Sequence, residues 1–201
     1  MSNCIILDGG YHGEKLHDTE YLSCHENCDH KESFPFQKEI IDLIKTIGQM
    51  LTDYGYDVYY TRCDDTLMTP SQVAELANNG LCHGDKNLPY QNCCLLSFHR
   101  TLIHCPGQEK NAEIFVYQRN TPASRLAYSI MDELTTIGYR SLGINERPNL
   151  TILRRTLMAS LFITLGNLPL SSETEEENYK LIMETAEAFF KGIISSFETS
   201  L

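Results

Sequence analysis

The stretch Cys93-Cys94-Leu95-Leu96-Ser97-Phe98, followed at once by His99-Arg100, decides how this chain is read. Its apolar residues run on without alternation, as in a strand buried on both faces, and such strands belong to parallel sheets covered by helices. Ser97 is the one polar residue in the run, and His99 and Arg100 stand where the strand should end. In open α/β sheets ligands bind at the carboxyl ends of the strands. His99 is therefore the first candidate for chemistry.

Working outward, residues 3–8 form a second short apolar run closed by Asp8-Gly9-Gly10, which predicts a buried strand ending in a turn. Residues 11–35 are polar and without period, and a loop of that length in a compact domain is often functional. Over residues 36–54, Ile40, Ile41, Ile44, Ile47, Met50 and Leu51 fall on one helical face, and Gly55 ends the helix. Residues 56–61 alternate as a strand does. Thr69 or Ser71 can cap a helix running to about residue 79, with Val73, Leu76 and Ala77 turned inward. Residues 113–117 predict a further strand. Residues 122–137 predict a helix that opens on Pro122 after Thr121 and stops at Gly138. Residues 150–153 and 161–165 are expected as the last two strands. A final helix is expected from Ser171 or Ser172 to about residue 197, its acidic start (Glu173, Glu175, Glu176, Glu177) suiting the positive end of a helix dipole. The interleaving predicts one α/β domain over residues 1–201, a mostly parallel twisted sheet of about six strands with helices on both faces.

Composition narrows the function. With 42% hydrophobic and 21% charged residues the chain reads as an ordinary globule, and its formal net charge of −11, with 16 Lys plus Arg, argues against a nucleic-acid groove or steering toward an anionic membrane or polymer. No run approaches the roughly 18 apolar residues of a membrane span. Met1 leads almost directly into the first strand without a signal-peptide pattern, so the expectation is synthesis in the cytoplasm, with action outside only after release by lysis or loss of a leader. Most of the eight cysteines are expected to be reduced and buried. Cys24, His25, Cys28 and His30 crowd into the long loop, where they offer a structural metal or simply a solvated turn.

His12 follows the first strand and His99 ends the third, and two imidazoles at strand ends are what a metal site built on a sheet needs. A catalytic zinc takes three protein ligands, usually His, Glu or Asp, plus water.

The motifs also resemble a known family. Ile6-Leu7-Asp8-Gly9-Gly10-Tyr11-His12 resembles the Leu-Asp-Ala-Gly-His opening of the zinc-dependent N-acetylmuramoyl-L-alanine amidases, the cell-wall hydrolases that include phage endolysin domains. Gly55-Tyr56-Asp57-Val58-Tyr59-Tyr60-Thr61-Arg62, with Asp65 after it, is similar to their Gly-x-x-Val-x-x-Thr-Arg strand. Leu76-Ala77-Asn78 resembles their Ala-Asn helix end, Leu95 to Arg100 their Ile-Ser-Ile-His segment, and Ala112 to Tyr117 their Gly-Val-Glu-Val strand. Leu150 to Arg154 and Leu161 to Gly166 follow in order. The resemblance implies Zn²⁺ held by His12, Glu39 and His99, a peptidoglycan or muropeptide substrate, and a glutamate on the last strand that activates water. Arg154 joins the catalytic candidates and Arg100 the substrate-binding ones, since a guanidinium forks well onto oxygens; surface ion pairs are the plain alternative.

Three departures stand out. Tyr11 places His12 one residue late. Counted back from Thr61-Arg62, the ligand glutamate falls near Phe36, so Glu39 lies about one turn, roughly 4–5 Å, further along, with Glu32 and Glu14 as substitutes. Thr164 stands where the catalytic glutamate is expected. Threonine is no base near neutral pH, and losing a general base costs about 100- to 10,000-fold. Either Glu113 or Glu146 serves instead, or the chain is a weak or inactive relative that binds peptidoglycan fragments or a protein partner.

Overall fold

A computed structural model describes residues 3–10, 38–62, 64, 66, 68–81, 92–100, 110–166 and 174–198. Six strands, β1 (Cys4–Gly9), β2 (Asp57–Tyr60), β3 (Cys93–Arg100), β4 (Asn111–Val116), β5 (Arg140–Glu146) and β6 (Ala159–Gly166), form one sheet in the order β2-β1-β3-β6-β4-β5. Every neighbouring pair is parallel except β4 with β6, so β4 and β5 run against the other four strands.

The helices α1 (Lys38–Tyr54), α2 (Pro70–Leu76), α3 (Pro122–Thr136), α4 (Thr151–Arg155) and α5 (Glu175–Glu198) divide between the two faces. One face buries Ile5, Leu7, Leu96, Phe98, Leu161 and Ile163 against α1, α3 and α5. The other buries Ile6, Leu95, Phe115 and Phe162 against Val73, Ala77, Ile152 and Leu153 of α2, α4 and the π-helical turn Ala77–Leu81 that continues α2. Alternation along each strand sorts the side chains: even-numbered residues of β1 and β6 and odd-numbered residues of β3 and β4 face α2 and α4.

The local signals explain most boundaries. Thr69 caps α2 in a capping box with Gln72, and Thr121 caps α3 with Pro122 in its first turn. Thr174 accepts from the Glu177 N–H at the head of α5 while its own N–H donates to the Glu177 carboxylate. The expected caps Ser171 and Ser172 lie outside the described residues.

Two expectations are corrected. Residues 150–153 are not a strand: Leu150 is the N-cap of α4, and Ile152 and Leu153 are its buried side. Four residues, three of them apolar, are too few for periodicity to separate a strand from a helical turn. The sixth strand is instead β5, at the sheet edge, whose largely exposed sequence Arg140 to Glu146 offers only Leu142 and Ile144 as apolar residues. The register slips between Ala112 and Glu113, and Gly143 opposite takes φ 111°, a bulge conformation that suits glycine. Cys94 is a buried free thiol whose ionisation burial pushes well up, Cys93 is likewise a reduced thiol, and Cys4 is disulfide-bonded.

Candidate active site at the carboxyl end of the sheet

The register of β1 with β3 sets Asp8 beside Ser97, and that of β3 with β6 sets His99 beside Thr164. All four side chains face the α2/α4 side, beyond the area those helices cover. Asp8 is fully buried. Its carboxylate accepts from Thr61 Oγ1 at 2.5 Å and from Ser97 Oγ at 2.5 Å, and Arg62 Nε lies 3.7 Å away to balance its charge. A buried carboxylate with an apposed guanidinium and two donors avoids the several-kcal/mol penalty of a lone buried charge.

The chain of contacts continues. Ser97 Oγ is 2.8 Å from His99 Nε2. A hydroxyl has one proton, and here Asp8 takes it, because a carboxylate only accepts. Toward His99, Ser97 Oγ therefore acts as acceptor, and His99 carries its proton on Nε2. The lone pair then sits on Nδ1, and a partner that fixes the tautomer in this way is the usual companion of a working or metal-binding imidazole. The ring is held flat against Phe162, with centroids 3.6 Å apart and planes 8° from parallel. On another side it lies over Gly10, whose N–H donates to Phe98 O at 2.7 Å; a Cβ at Gly10 would run into the ring.

The row extends across β6 to β4. Thr164 Oγ1 donates to the Glu113 carbonyl at 3.3 Å, and the Glu113 carboxylate accepts from Asn145 Nδ2 at 2.7 Å. Register places Glu113 directly opposite Thr164 on the same face. Beyond them, Asn111 lies across Gly166, where a Cβ would overlap its carboxamide, and its buried Oδ1 has no hydrogen-bond partner among the described residues.

Of the residues singled out from sequence, the structure brings together His99, Thr164 and Glu113. Glu39 sits in the first turn of α1, which begins over Gly9 at this end of the sheet but belongs to the layer on the opposite face. Arg100 closes β3, and its side chain is outside the described set. His12, Glu14, Glu32 and the 24–30 loop also lie outside the described residues. Arg154 is not brought to the row: it is exposed on α4, before the start of β6 and at the other end of the sheet. Glu146 ends β5 at that same far end and accepts from the Arg119 N–H at 2.6 Å.

Among the described residues no three His, Cys, Asp or Glu side chains stand together as a metal site. The fit to zinc therefore rests on His99 alone, and its fixed tautomer and locked ring match what a metal ligand needs.

Sequence reasoning did not assign roles to Asp8, Ser97, Thr61, Arg62 or Phe162. The signal available was the period-two spacing of Ser97 and His99, which puts both on one face of a strand. The contribution of Asp8 depends on strand pairing that no local pattern reveals.

A helix-covered α/β sheet with its polar chain at the carboxyl ends of the central parallel strands defines a single-domain fold of the open-sheet class, with its ligand-binding end at β1, β3 and β6. More narrowly, this is the fold of the N-acetylmuramoyl-L-alanine amidases. The N-acetylmuramoyl-L-alanine amidase of Clostridium difficile 630 superposes with a TM-score of 0.72 at 20% identity, over 100% of this chain and 99% of that one. The amidase AmiC2 of Nostoc punctiforme gives 0.66 at 16% identity, covering 98% and 97%. The catalytic domain of the CD27L endolysin targeting Clostridia Difficile gives 0.61 at 16% identity, covering 96% and 97%. No protein-family model and no curated protein sequence matches the chain.

Proposed function

We propose that the chain is a zinc-dependent hydrolase of the amide bond between N-acetylmuramic acid and L-alanine in peptidoglycan. The observation that carries this reading is the Asp8–Ser97–His99 chain, a rigid imidazole of set tautomer at the reactive end of an amidase fold. His99 Nδ1, with His12 and Glu39, would hold the metal. Zinc bound there supplies Lewis-acid polarisation of the scissile carbonyl.

The remaining work falls to the protein's own groups. Asp8 and Ser97 hold the His99 ring in one orientation, so its lone pair is presented without reorganisation. Glu113 is the carboxylate opposite Thr164, steadied by Asn145, and takes the proton-shuttling role in place of the residue at 164. Its reach is longer than that of a glutamate at 164 by one strand spacing, about 4.8 Å, which predicts slow turnover.

A second reading is favoured by Thr164 itself. Its hydroxyl is spent on the Glu113 carbonyl and provides no base. In this reading the site holds muropeptides without cutting them.

The test combines metal analysis with product detection. Purified protein should contain one zinc per chain, release peptides with a new L-alanine amino terminus from muropeptides, and do so faster as Thr164→Glu. Protein that neither retains nor is stabilised by zinc contradicts the metal-hydrolase reading. Binding without cleavage, with cleavage gained only by Thr164→Glu, establishes the second reading.

A further inference from the structure

The far end of the sheet carries a cavity that the hydrolytic reading does not use. Because β4 opposes β6, residues 117–118 after β4 come beside the start of β6, and the beginning of α3 and the end of α4 close the space between them. The cavity measures about 440 Å³, within the range of small-molecule sites.

Its lining joins a cation, a buried hydroxyl, a helix head and an apolar wall. Among the described residues the Arg154 guanidinium has no acidic partner, in a chain whose net charge is −11; its neighbour Arg155 instead donates to Ser71 Oγ at 3.0 Å. Ser160 is only 5% exposed, and its place in β6 turns it to the same face as Phe162, toward the cavity. Its hydroxyl has no hydrogen-bond partner among the described residues, although the residue as a whole is buried. The head of α3 opens on the same space. Thr121 and Ser124 satisfy each other in the capping box and Pro122 has no N–H, so the Ala123 N–H is the donor left over at the positive end of the helix. Asn120, with φ 59°, bends the chain into this position. Leu153 and Met158 form the apolar side.

An unpaired guanidinium, a helix head and a buried hydroxyl beside an apolar wall complement one anionic group on a compact apolar body. We propose that this cavity binds a small carboxylate, with Arg154 and the Ala123 N–H on the carboxylate, Ser160 supplying a further hydrogen bond, and Leu153 and Met158 against the body. The residues are distinct from those of the His99 row, so the proposal stands or falls independently of peptidoglycan cleavage.

The test is an amide-resolved NMR titration of the full chain with phenylacetate, and with phenylacetamide as the uncharged counterpart. Phenylacetate should give saturable shifts centred on Ala123 and Ser160. Arg154→Gln should weaken its binding about tenfold or more, as expected for one charge-assisted contact, and phenylacetamide should bind the native chain as weakly. Ser160→Ala, a near-isosteric change, should weaken binding severalfold. A dipeptide ending in phenylalanine, as free acid and as amide, separates a free small acid from a peptide carboxyl terminus as the source of the group. No shift in this region, shifts elsewhere only, or equal binding of acid and amide would overturn the assignment.

Discussion

The two ends of β6 place a hydroxyl on the same face, Ser160 and Thr164, roughly 13 Å apart along the strand, and the difference between their surroundings is instructive. At the carboxyl end two hydrogen-bonded groups lie side by side, Thr61–Asp8–Ser97–His99 and Thr164–Glu113–Asn145, so the side chains hold their positions without a ligand. At the amino end Arg154 and Ser160 have no such partners among the described residues, and both line an open cavity. The first arrangement is preorganised, as chemistry requires. The second has its polar groups unmet, as a binding site does before its ligand arrives.

This contrast makes graded predictions. The largest effect should follow Asp8→Ala, which removes the carboxylate apposed to buried Arg62 and strips two hydroxyls of their acceptor; unfolding by denaturant should show a loss of about 3–5 kcal/mol. Gly10→Ala should come next. Its Cβ must push His99 off Phe162 or shift the turn, costing about 1–3 kcal/mol by thermal or chemical denaturation and any cleavage activity with it. Ser97→Ala should cost about 1–2 kcal/mol and also release the tautomer: in ¹⁵N NMR, native His99 should show a protonated Nε2 and a bare-type Nδ1, and the variant a mixture. An unchanged His99 spectrum would show that Ser97 does not set the proton. The smallest effect should be Arg154→Gln, within about 0.5 kcal/mol of native stability, because an exposed guanidinium without an ion-pair partner holds nothing in place. A larger loss would mean that the far end is also structural.

Much of the fold was legible because its central strands are buried on both faces. The apolar run from Cys93 to Phe98 could hardly belong anywhere else, and the caps at Thr69 and Thr121 announced their helices. What escaped was the edge. β5 lies exposed and has only Leu142 and Ile144 to mark it, and α4 is too short for its period to be read. The site divides in the same way. His99 was visible as a polar residue at the end of a buried strand, and Thr164 as an oddity in a motif. The partnership of Asp8 with Ser97 was not visible, since it arises from pairing residues 89 positions apart. The separation of Arg154 from His99 was hidden for a related reason, as reading residues 150–153 as a strand carried Arg154 to a strand end it does not occupy.

The most direct test of the central claim is muropeptide cleavage by the native chain and by His99→Ala, each confirmed as folded by circular dichroism and followed by mass spectrometry. The account predicts peptides bearing a new L-alanine amino terminus from the native chain and none from the variant. Native protein that yields no such product, or a variant that yields as much as the native chain, would contradict it.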